Sequence, residues 1–357
     1  MSAGPFDAFL LVSFGGPEGP EDVMPFLQNV TRGKDVPPER LAEVAEHYQH
    51  FGGVSPINGH CRELLGAVAA DFAMNGLDLP IYWGNRNWKP SLRDAIQQMA
   101  DENRRRALIM TTSAYASYPG CRQYREDVFA AKAGITKAPV FTRLRHYFNH
   151  PGFIRPMVAN TVAALDQLAS DARAGATILF TTHSIPMALA YSAGPQGGLY
   201  AAQHEEVARL VAEGVTEATG ATYPWELVYQ SRSGPPQVKW LEPDVRDRMT
   251  ALHEAGTPAV VVVPIGFTSD HMEVVYDLDV ELRGQADALG IGFARAGTVG
   301  AAPEFVAAIR DMVMERVNSR MPDQRATLGD LGASFDVCPI GCCPNPKGPR
   351  PAVAGRD

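Results

Sequence analysis

The segment PAVVVVPIGFTSDHMEVVYDLDVEL, residues 258–282, joins a run of apolar residues to a run of acidic ones. The apolar run from Ala259 to Ile265 predicts a strand that is covered on both faces, as in a parallel sheet. The residues after it predict an amphipathic helix with acids along one face. Those acids are Asp270, Glu273, Asp277 and Glu281. A buried strand followed by such a helix is half of a βαβ unit, so the segment predicts an α/β fold.

The acidic face has no basic partners close to it in the chain. Between Lys239 and Arg283 the only basic residues are Arg246 and Arg248, so pairs one helical turn apart are absent. A solvated helix face would explain the acids equally well. They follow the carboxyl end of a predicted parallel strand, however, where open α/β sheets bind their ligands. We therefore expect a ligand site there.

The same alternation of strand and helix runs along the chain. The predicted strands lie in FDAFLLVSFGG, LPIYWGN, RALIMTTSAY, APVFTRL, ATILFTTHSIP, WELVYQSR, PAVVVVPIGF and GIGFARAG. They predict two doubly wound, mostly parallel, Rossmann-like sheets that face each other across a cleft. We expect domains at residues 1–152 and 153–302, a helix at 303–320 that packs back on the first domain, and an irregular extension rich in Cys, Pro and Gly at 321–357.

Composition and charge exclude several classes of function. The chain has 357 residues with 32 basic and 40 acidic side chains, for a net charge of −8, which argues against nucleic-acid binding. No apolar run approaches the roughly 20 residues of a membrane span, and the start of the chain has no basic n-region, so a cytoplasmic location is expected. The spacings GxGxxG and GxxxxGK[ST] are absent, which argues against NAD and ATP.

Polar and aromatic residues cluster at the ends of the predicted strands. His183 follows the apolar run ATILF directly, where an imidazole could accept a proton or hold a metal near neutral pH. Ser231 and Trp240 follow another strand. Ser55 stands on a Gly-Gly turn, and Tyr124 lies in YPGCRQYRED.

Together these segments resemble the ferrochelatases, enzymes that insert ferrous iron into a porphyrin. The matching motifs are LLVSFGGPEG, HYQHFGGVSPI, TTHSIP, YQSRSGPPQVKWLEP and GFTSDHMEVVYDLDVE, in the family's order over roughly residues 8–320. The resemblance implies that His183 and Glu273 are the metal-binding and catalytic pair, facing each other across the porphyrin. Asp277 and Glu281 then form a path that passes Fe²⁺ inward or protons outward.

The resemblance also implies walls and a rim for the macrocycle. Aromatic candidates for the walls are Phe14, Trp88, Tyr118, Tyr124 and Trp240, and Ser55 and Ser231 are further candidates for substrate contact. Relatives carry Tyr where this chain has Phe14, so a hydroxyl contact to the metal is missing there. Arg86, Lys89, Arg122 and Arg125 are candidates to bind propionates.

The cysteine-rich C-terminus resembles ferrochelatases of high-GC Gram-positive bacteria, whose pathway metallates coproporphyrin III. That substrate is therefore expected, with protoporphyrin IX as the alternative. A cobalt or nickel chelatase of another tetrapyrrole and a non-catalytic haem carrier are two further readings. We expect a monomer with at most transient contact to a membrane or to another enzyme of haem synthesis.

The five cysteines are Cys61, Cys121, Cys338, Cys342 and Cys343. In a cytoplasmic chain such thiols indicate metal or redox chemistry rather than disulfides. The last three lie within six residues and need a fourth ligand. The resemblance implies Cys121, which lies in the segment YPGCRQY where cluster-bearing ferrochelatases place a ligand distant from their C-terminal three. Cys61 lies in a predicted helix, where a buried structural thiol is expected. Four thiolates can hold Zn²⁺ or a [2Fe–2S] cluster. The resemblance favours the cluster.

Overall fold

The computed structural model describes residues 3–33, 36–234 and 237–356; Pro235 and Pro236 of the GPPQVKW motif lie outside this part of the chain. The predicted α/β fold with two sheets is confirmed. The strands of the first sheet are β1 (Ala8–Ser13), β2 (Ile81–Asn85), β3 (Arg106–Thr111) and β4 (Val140–Arg143). Those of the second are β5 (Thr177–His183), β6 (Trp225–Gln230), β7 (Ala259–Val263) and β8 (Gly292–Arg295). The orders β2-β1-β3-β4 and β6-β5-β7-β8 match, and every pairing between these strands is parallel.

Helices connect the strands. The first group is α1 (Pro20–Val30), α2 (Pro38–His50), α3 (Ile57–Met74), α4 (Leu92–Asp101) and α5 (Gln123–Ala131). The second is α6 (Pro151–Leu165), α7 (Ser170–Arg173), α8 (Met187–Tyr191), α9 (Leu199–Thr219), α10 (Val245–Glu254), α11 (Met272–Val274), α12 (Arg283–Leu289) and α13 (Pro303–Val317). Two π-helical segments, Tyr118–Arg122 and Val275–Leu282, precede α5 and join α11 to α12. A 3₁₀ turn spans Pro322–Gln324.

The central strands show why the sequence pattern identified them. All five residues of β7 are buried, and four of them are valines, whose branched side chains suit a strand that is covered on both faces. Proline occupies the first turn of α1, α6 and α13, where its missing N–H costs no hydrogen bond. Local chemistry therefore sets where these elements begin.

The two sheets are joined through buried contacts. The first lies within residues 8–143 and the second within 177–295, and α13 packs on both α3 and α6. Gly152 permits close approach of α6 and α13, because a Cβ there would lie 2.3 Å from the carbonyl oxygen of Glu304. The hydroxyl of Tyr115 donates to the carbonyl of Ile265 at 2.7 Å. The domain limits at residues 152 and 302 stay predictions.

The C-terminal extension is irregular but is held by buried arginines of the first half. Arg122 donates to the carbonyl of Arg350 at 2.7 Å, and Arg125 donates to that of Val353 at 2.6 Å. These two side chains are buried under the extension. The prediction that they bind porphyrin propionates is therefore wrong: their guanidinium groups bind the chain's own tail.

Candidate active site and four-cysteine site

His183 and Glu273 meet at the carboxyl edge of the second sheet. His183 ends the central strand β5, and Glu273 lies in α11, after the neighbouring strand β7. Nε2 of His183 is 3.5 Å from Oε1 of Glu273, while Nδ1 of His183 donates to the carbonyl of Ser184. Gln230, which ends β6, donates to the backbone carbonyl of Glu273 at 3.0 Å. Three adjacent strand ends thus position one imidazole–carboxylate pair.

The pKa values of His183 and of the nearby Asp277 are both raised at this site. Burial lowers the pKa of His183, but the Glu273 carboxylate, the Ser184 carbonyl and Asp277 outweigh it and raise the value to about 9. Burial raises the pKa of Asp277 to about 7, with Glu273 and Glu281 adding to the rise and a hydrogen bond from Ser231 opposing it. His183 is therefore protonated in the free protein at neutral pH, and Asp277 titrates there.

The acidic helix contains a π-helical segment at its centre. Asp277 and Glu281 lie in Val275–Leu282, and Val274, Leu278 and Leu282 are buried on the opposite side, as predicted. π-Helical segments occur frequently at functional sites because they redirect side chains. Glu281 reaches the surface, where Arg246 lies 3.5 Å away.

Two of the acids do not belong to this face. Asp270 precedes α11 and pairs with Arg295 at 3.0 Å; Asp279 pairs with the same guanidinium at 2.7 Å. The expectation that Asp270 lines one helical face with Glu273 is wrong, because the helix starts at Met272. Arg295 comes from β8, the next strand of the sheet, so it could not be found among helical neighbours. Because Arg295 neutralises Asp270 and Asp279, the acids that remain at the site are Glu273, Asp277 and Glu281.

An apolar cluster from the first half of the chain borders the pair. Phe14, directly after β1, packs with Phe26 and Trp88 in an apolar cluster that also contains Tyr48 and Met272. Met272 precedes Glu273, so this cluster borders the pair. His47 of α2 stacks on Tyr276 with ring centroids 3.7 Å apart and continues the same contact along the acidic helix.

His183 and Glu273 contact each other directly. A flat ring in contact with a group on each face needs about 7 Å between those groups, twice an ordinary carbon–carbon contact. The 3.5 Å separation leaves no such space. The implied arrangement, with the two residues facing each other across the porphyrin, is therefore corrected.

The structure distributes the predicted substrate-binding residues over two walls. Cζ of Arg86 lies 4.3 Å from the ring centroid of Tyr124 and 5.8 Å from that of Phe14. Its Nε pairs with a carboxylate oxygen of Asp127 at 2.5 Å. Its side chain is only 6% exposed, so its charge is already engaged. Ser55 is buried beside Gly16, where a Cβ would lie 2.6 Å from that of Ser55.

The remaining candidates lie beside the second sheet or beside α5. Ser231 donates to Asp277, and its backbone is left-handed with φ of 61°. The backbone of Trp240 forms an antiparallel β-bridge with Pro186 of the HSIP motif, and its ring packs on Gly234. Tyr118 donates to Glu126 at 3.3 Å, and Glu126 also accepts from Asn345 of the extension at 2.9 Å; the role of Tyr118 as a wall residue stays a prediction.

Sequence reasoning missed Tyr48 and assigned no role to His271. Burial raises the pKa of Tyr48, and the Glu273 carboxylate raises it further, which marks their proximity. Nδ1 of His271 accepts a hydrogen bond from the backbone N–H of Glu273 at 3.2 Å. Burial and the nearby His183 lower the pKa of His271, against the effect of Glu273. Only the position of His271 two residues before Glu273 could have indicated this contact.

The four predicted cysteine ligands come together in one buried cluster. Cys121, Cys338, Cys342 and Cys343 pack with Ala116, and the sulfur atoms of Cys342 and Cys343 are 3.8 Å apart. Cys121 lies in the first π-helical segment. Cys61 instead packs in the main core of α3, where burial raises the pKa of its thiol to about 11.

Two N–H groups donate hydrogen bonds to these sulfur atoms. Arg143 donates to the sulfur of Cys121 at 3.3 Å, and the backbone N–H of Gly194 donates to that of Cys343 at 3.1 Å. Hydrogen bonds from Cys121 and Cys342, with a contribution from Arg143, lower the pKa of Cys338 despite burial. Hydrogen bonds with Cys338, together with burial, raise the pKa of Cys121 and of Cys342. Thiolate, the form that binds metal, is therefore favoured at Cys338 and not at every sulfur of the group.

The spread of the sulfur atoms distinguishes two kinds of metal site. Tetrahedral zinc, with Zn–S near 2.3 Å, holds all its sulfurs within about 3.8 Å of one another. Among the described residues, the only three potential ligand atoms mutually within 4.8 Å belong to His150, Asp311 and Glu315, so no three of the cysteine sulfurs are that close. In the described part of the chain, the cysteine sulfurs are thus spread more widely than the ligands of one tetrahedral ion.

The group of His150, Asp311 and Glu315 is an ion-pair network. Glu315 pairs with Arg145 at 2.8 Å and Asp311 with Arg320 at 2.9 Å. Nδ1 of His150 accepts from the backbone N–H of Gly152. Both carboxylates are neutralised, so we assign no metal there. Within the described part of the chain, no helix is long and apolar enough to cross a membrane.

Comparison with known proteins agrees with this geometry. A family model described as Ferrochelatase matches residues 6–317. The chain is 55% identical to the coproporphyrin III ferrochelatase of Streptomyces coelicolor, over 100% of this chain and 98% of the relative. It is 50% identical to a ferrochelatase of Rhodopirellula baltica, over 98% of this chain and 97% of the relative. The structure also resembles a crystal structure of the sirohydrochlorin chelatase SirB from Bacillus subtilis subspecies spizizenii in complex with cobalt. The two superpose with a TM-score of 0.50 at 8% identity, over 91% of this chain and 100% of SirB, which is a likeness of fold alone.

Proposed function

This chain belongs to the ferrochelatase family, and we propose that it inserts ferrous iron into coproporphyrin III, with His183 and Glu273 as the reacting pair. The observation that carries the assignment of these residues is their 3.5 Å contact at the edge of the second sheet. Imidazole and carboxylate are suitable ligands for Fe²⁺, and neither holds it as tightly as thiolate holds softer ions.

The reaction replaces two pyrrole N–H protons by one Fe²⁺ ion. Each N–H bond breaks with its electron pair left on nitrogen, and those pairs bind the iron. The enzyme must therefore receive two protons for each ion delivered. The pair can receive both: His183 accepts one, and the Glu273 carboxylate accepts the other after the ion has passed from it to the ring nitrogens. The two steps are linked, because the protonation of His183 depends on Glu273.

Arrival of the iron frees His183 to act as a base. While Glu273 is unoccupied, its charge keeps His183 protonated at neutral pH. Fe²⁺ bound at Glu273 neutralises that charge, so the imidazole proton leaves. Neutral His183 then accepts a pyrrole proton through Nε2, since Nδ1 is occupied by the Ser184 carbonyl.

Asp277 and Glu281 connect the pair with solvent. Asp277 is buried with a pKa of about 7, so it takes up and releases protons at working pH. Glu281, one π-helical turn further on, is 36% exposed. The order from buried pair to exposed acid supports a path for protons outward and for iron inward.

The substrate-binding residues that we propose are Phe14, Ser55, Arg86, Tyr124, Ser231 and Trp240. Phe14 offers an apolar face to the macrocycle because it packs with Met272 beside the pair. Arg86 would act by holding Tyr124 and Phe14 in place. The relatives named for coproporphyrin III support the choice of that porphyrin over protoporphyrin IX.

We further propose that Cys121, Cys338, Cys342 and Cys343 hold a [2Fe–2S] cluster, with Zn²⁺ as the alternative. The spread of the sulfurs and the buried, hydrogen-bonded thiols support the cluster. Bound there, it would join the extension to the π-helical turn that carries Cys121, a structural task. We also propose a cytoplasmic monomer with transient contacts only.

The test measures metal insertion under anaerobic conditions. The protein is mixed with Fe²⁺ or Co²⁺ and with coproporphyrin III, protoporphyrin IX or sirohydrochlorin, and absorbance is followed over many turnovers. Fastest turnover with Fe²⁺ and coproporphyrin III is expected. Preference for protoporphyrin IX would overturn the substrate, preference for Co²⁺ and sirohydrochlorin would indicate the other chelatase, and a single stoichiometric uptake without release would indicate a haem carrier.

A further inference from the structure

Arg143, the last residue of β4, is a buried cation in a setting without carboxylates. It is 6% exposed. Among the residues that the structure describes, no carboxylate oxygen lies within 4.0 Å of its guanidinium, and its Nε–H has no hydrogen-bond partner. Burial of a charge without a counter-charge is costly. An anion is therefore expected close to this side chain.

Neighbouring buried arginines show what is missing. Arg122 pairs with Glu126 at 3.0 Å, and Arg145 pairs with Glu315 at 2.8 Å. Arg143 instead contacts a tail carbonyl, of Phe335, at 2.6 Å and a sulfur, of Cys121, at 3.3 Å. The sulfur is the only one of these two groups that can carry a full negative charge.

A second neighbour, His146, cannot provide or replace the charge. Its Nε2 lies 3.2 Å from Nη1 of Arg143, and its Nδ1 lies 3.1 Å from the hydroxyl of Ser334. Burial, with help from Arg143, lowers the pKa of His146 to about 3. His146 is therefore neutral and accepts a hydrogen bond from the guanidinium, which fixes the orientation of Arg143 toward the cysteines.

We propose that Arg143 is a positioning residue of the four-cysteine site, where its buried charge compensates the thiolates and the centre that they hold. This inference rests on the [2Fe–2S] cluster proposed above. With four thiolates such a cluster carries net charge −2 when oxidised and −3 when reduced, so a cation beside it favours the reduced form. Hydrogen bonds and nearby charge set the potential of such centres.

The test compares three variants of the full-length protein. Arg143→Gln removes the charge but keeps a donor, and Arg143→Lys keeps the charge. Arg316→Gln is the matched control, because Arg316 binds Asp336, next to Phe335 in the extension, and Arg325 keeps Asp336 paired. Iron and sulfide content, visible absorbance and the midpoint potential in a titration with dithionite are measured, with circular dichroism as the check on folding.

We expect Arg143→Gln to lower the equilibrium constant for reduction at least tenfold, which is about 59 mV for one electron, or to lose the cluster while folded. Arg143→Lys and Arg316→Gln should retain the cluster and a potential near that of the parent. An unchanged potential in Arg143→Gln would overturn the inference, as would equal loss in the Lys variant. A parent protein that binds zinc or no metal would instead overturn the cluster itself.

Discussion

The imidazole of His183 and the carboxylate of Glu273 meet at 3.5 Å, although they follow different strands of the second sheet. Their contact exists because β5 and β7 are parallel neighbours, so their carboxyl ends finish together. The pair is also the reason why His183 holds a proton at neutral pH. Four of the following predictions concern this pair or the second buried site.

Replacement of His183 by Ala should abolish most turnover and leave the fold intact. Proton transfer by a positioned side chain contributes roughly 10²–10⁴-fold, so a loss of about 10²-fold or more in kcat is expected. The side chain is 28% exposed, so little core packing is removed. Steady-state metal insertion and denaturant unfolding are measured, with exposed His253→Ala as control. Near-normal turnover would remove His183 from the reaction.

The acids of the π-helical segment should differ in importance. Glu273→Gln should be as damaging as His183→Ala, since it removes one half of the pair. Asp277→Asn and Glu281→Gln should cause smaller losses, decreasing toward the surface, because they act on transport and not on the reacting atoms. The measurement is kcat/KM for the metal ion. Equal effects of all three amides would contradict a graded path.

The titration of His183 should depend on Glu273. In the parent protein its pKa lies near 9, and in Glu273→Gln it should fall, because burial then acts without the carboxylate. Since the folded value is above the unfolded one of about 6.5, protonated His183 stabilises the fold fully below pH 6.5. That contribution is lost as pH rises through about 9. Nuclear magnetic resonance of the imidazole checks this; an unshifted resonance midpoint in the variant would disprove the coupling.

Cysteine substitutions should separate the cluster ligands from the core thiol. Cys121→Ser should bleach the protein and destabilise it, because this ligand alone comes from the first half of the chain. Cys61→Ser should keep the colour, since Cys61 packs in the core of α3. Visible absorbance and iron content are compared after anaerobic purification. Bleaching by Cys61→Ser alone would show that the ligands are wrongly assigned.

The buried pair Arg145–Glu315 should dominate the joint between β4 and α13. Both side chains are at most 1% exposed, so Arg145→Leu leaves a buried carboxylate and should cost about 3–5 kcal/mol of the free energy of unfolding. Arg248→Leu is the control, because its pair with Glu226 is about one-third exposed and such pairs contribute about 0–1 kcal/mol. Chemical denaturation gives both values. Similar losses in the two variants would refute the distinction.

Local pattern predicted the elements well. The predicted helix at 303–320 became α13, which begins at the predicted Pro303 and ends at Val317, since a proline start and apolar spacing are properties of neighbouring residues. Strand limits were less sharp: GIGFARAG yielded only Gly292–Arg295, because a strand ends where its partner does. The four cysteines that were predicted as ligands lie together in the fold, and their role as ligands stays a prediction.

What the sequence determined by itself was therefore the order of strands and helices, the strand-end position of His183 and the acidic stretch around Glu273. Tertiary structure alone decided which charges remain available there. Arg295 binds Asp270 and Asp279 from another strand, and Arg122 and Arg125 are covered by the extension. It also brought His183 and Glu273 into direct contact. Periodicity reports which face of an element is apolar, whereas a charge or a contact depends on distances across the fold, which no local spacing contains.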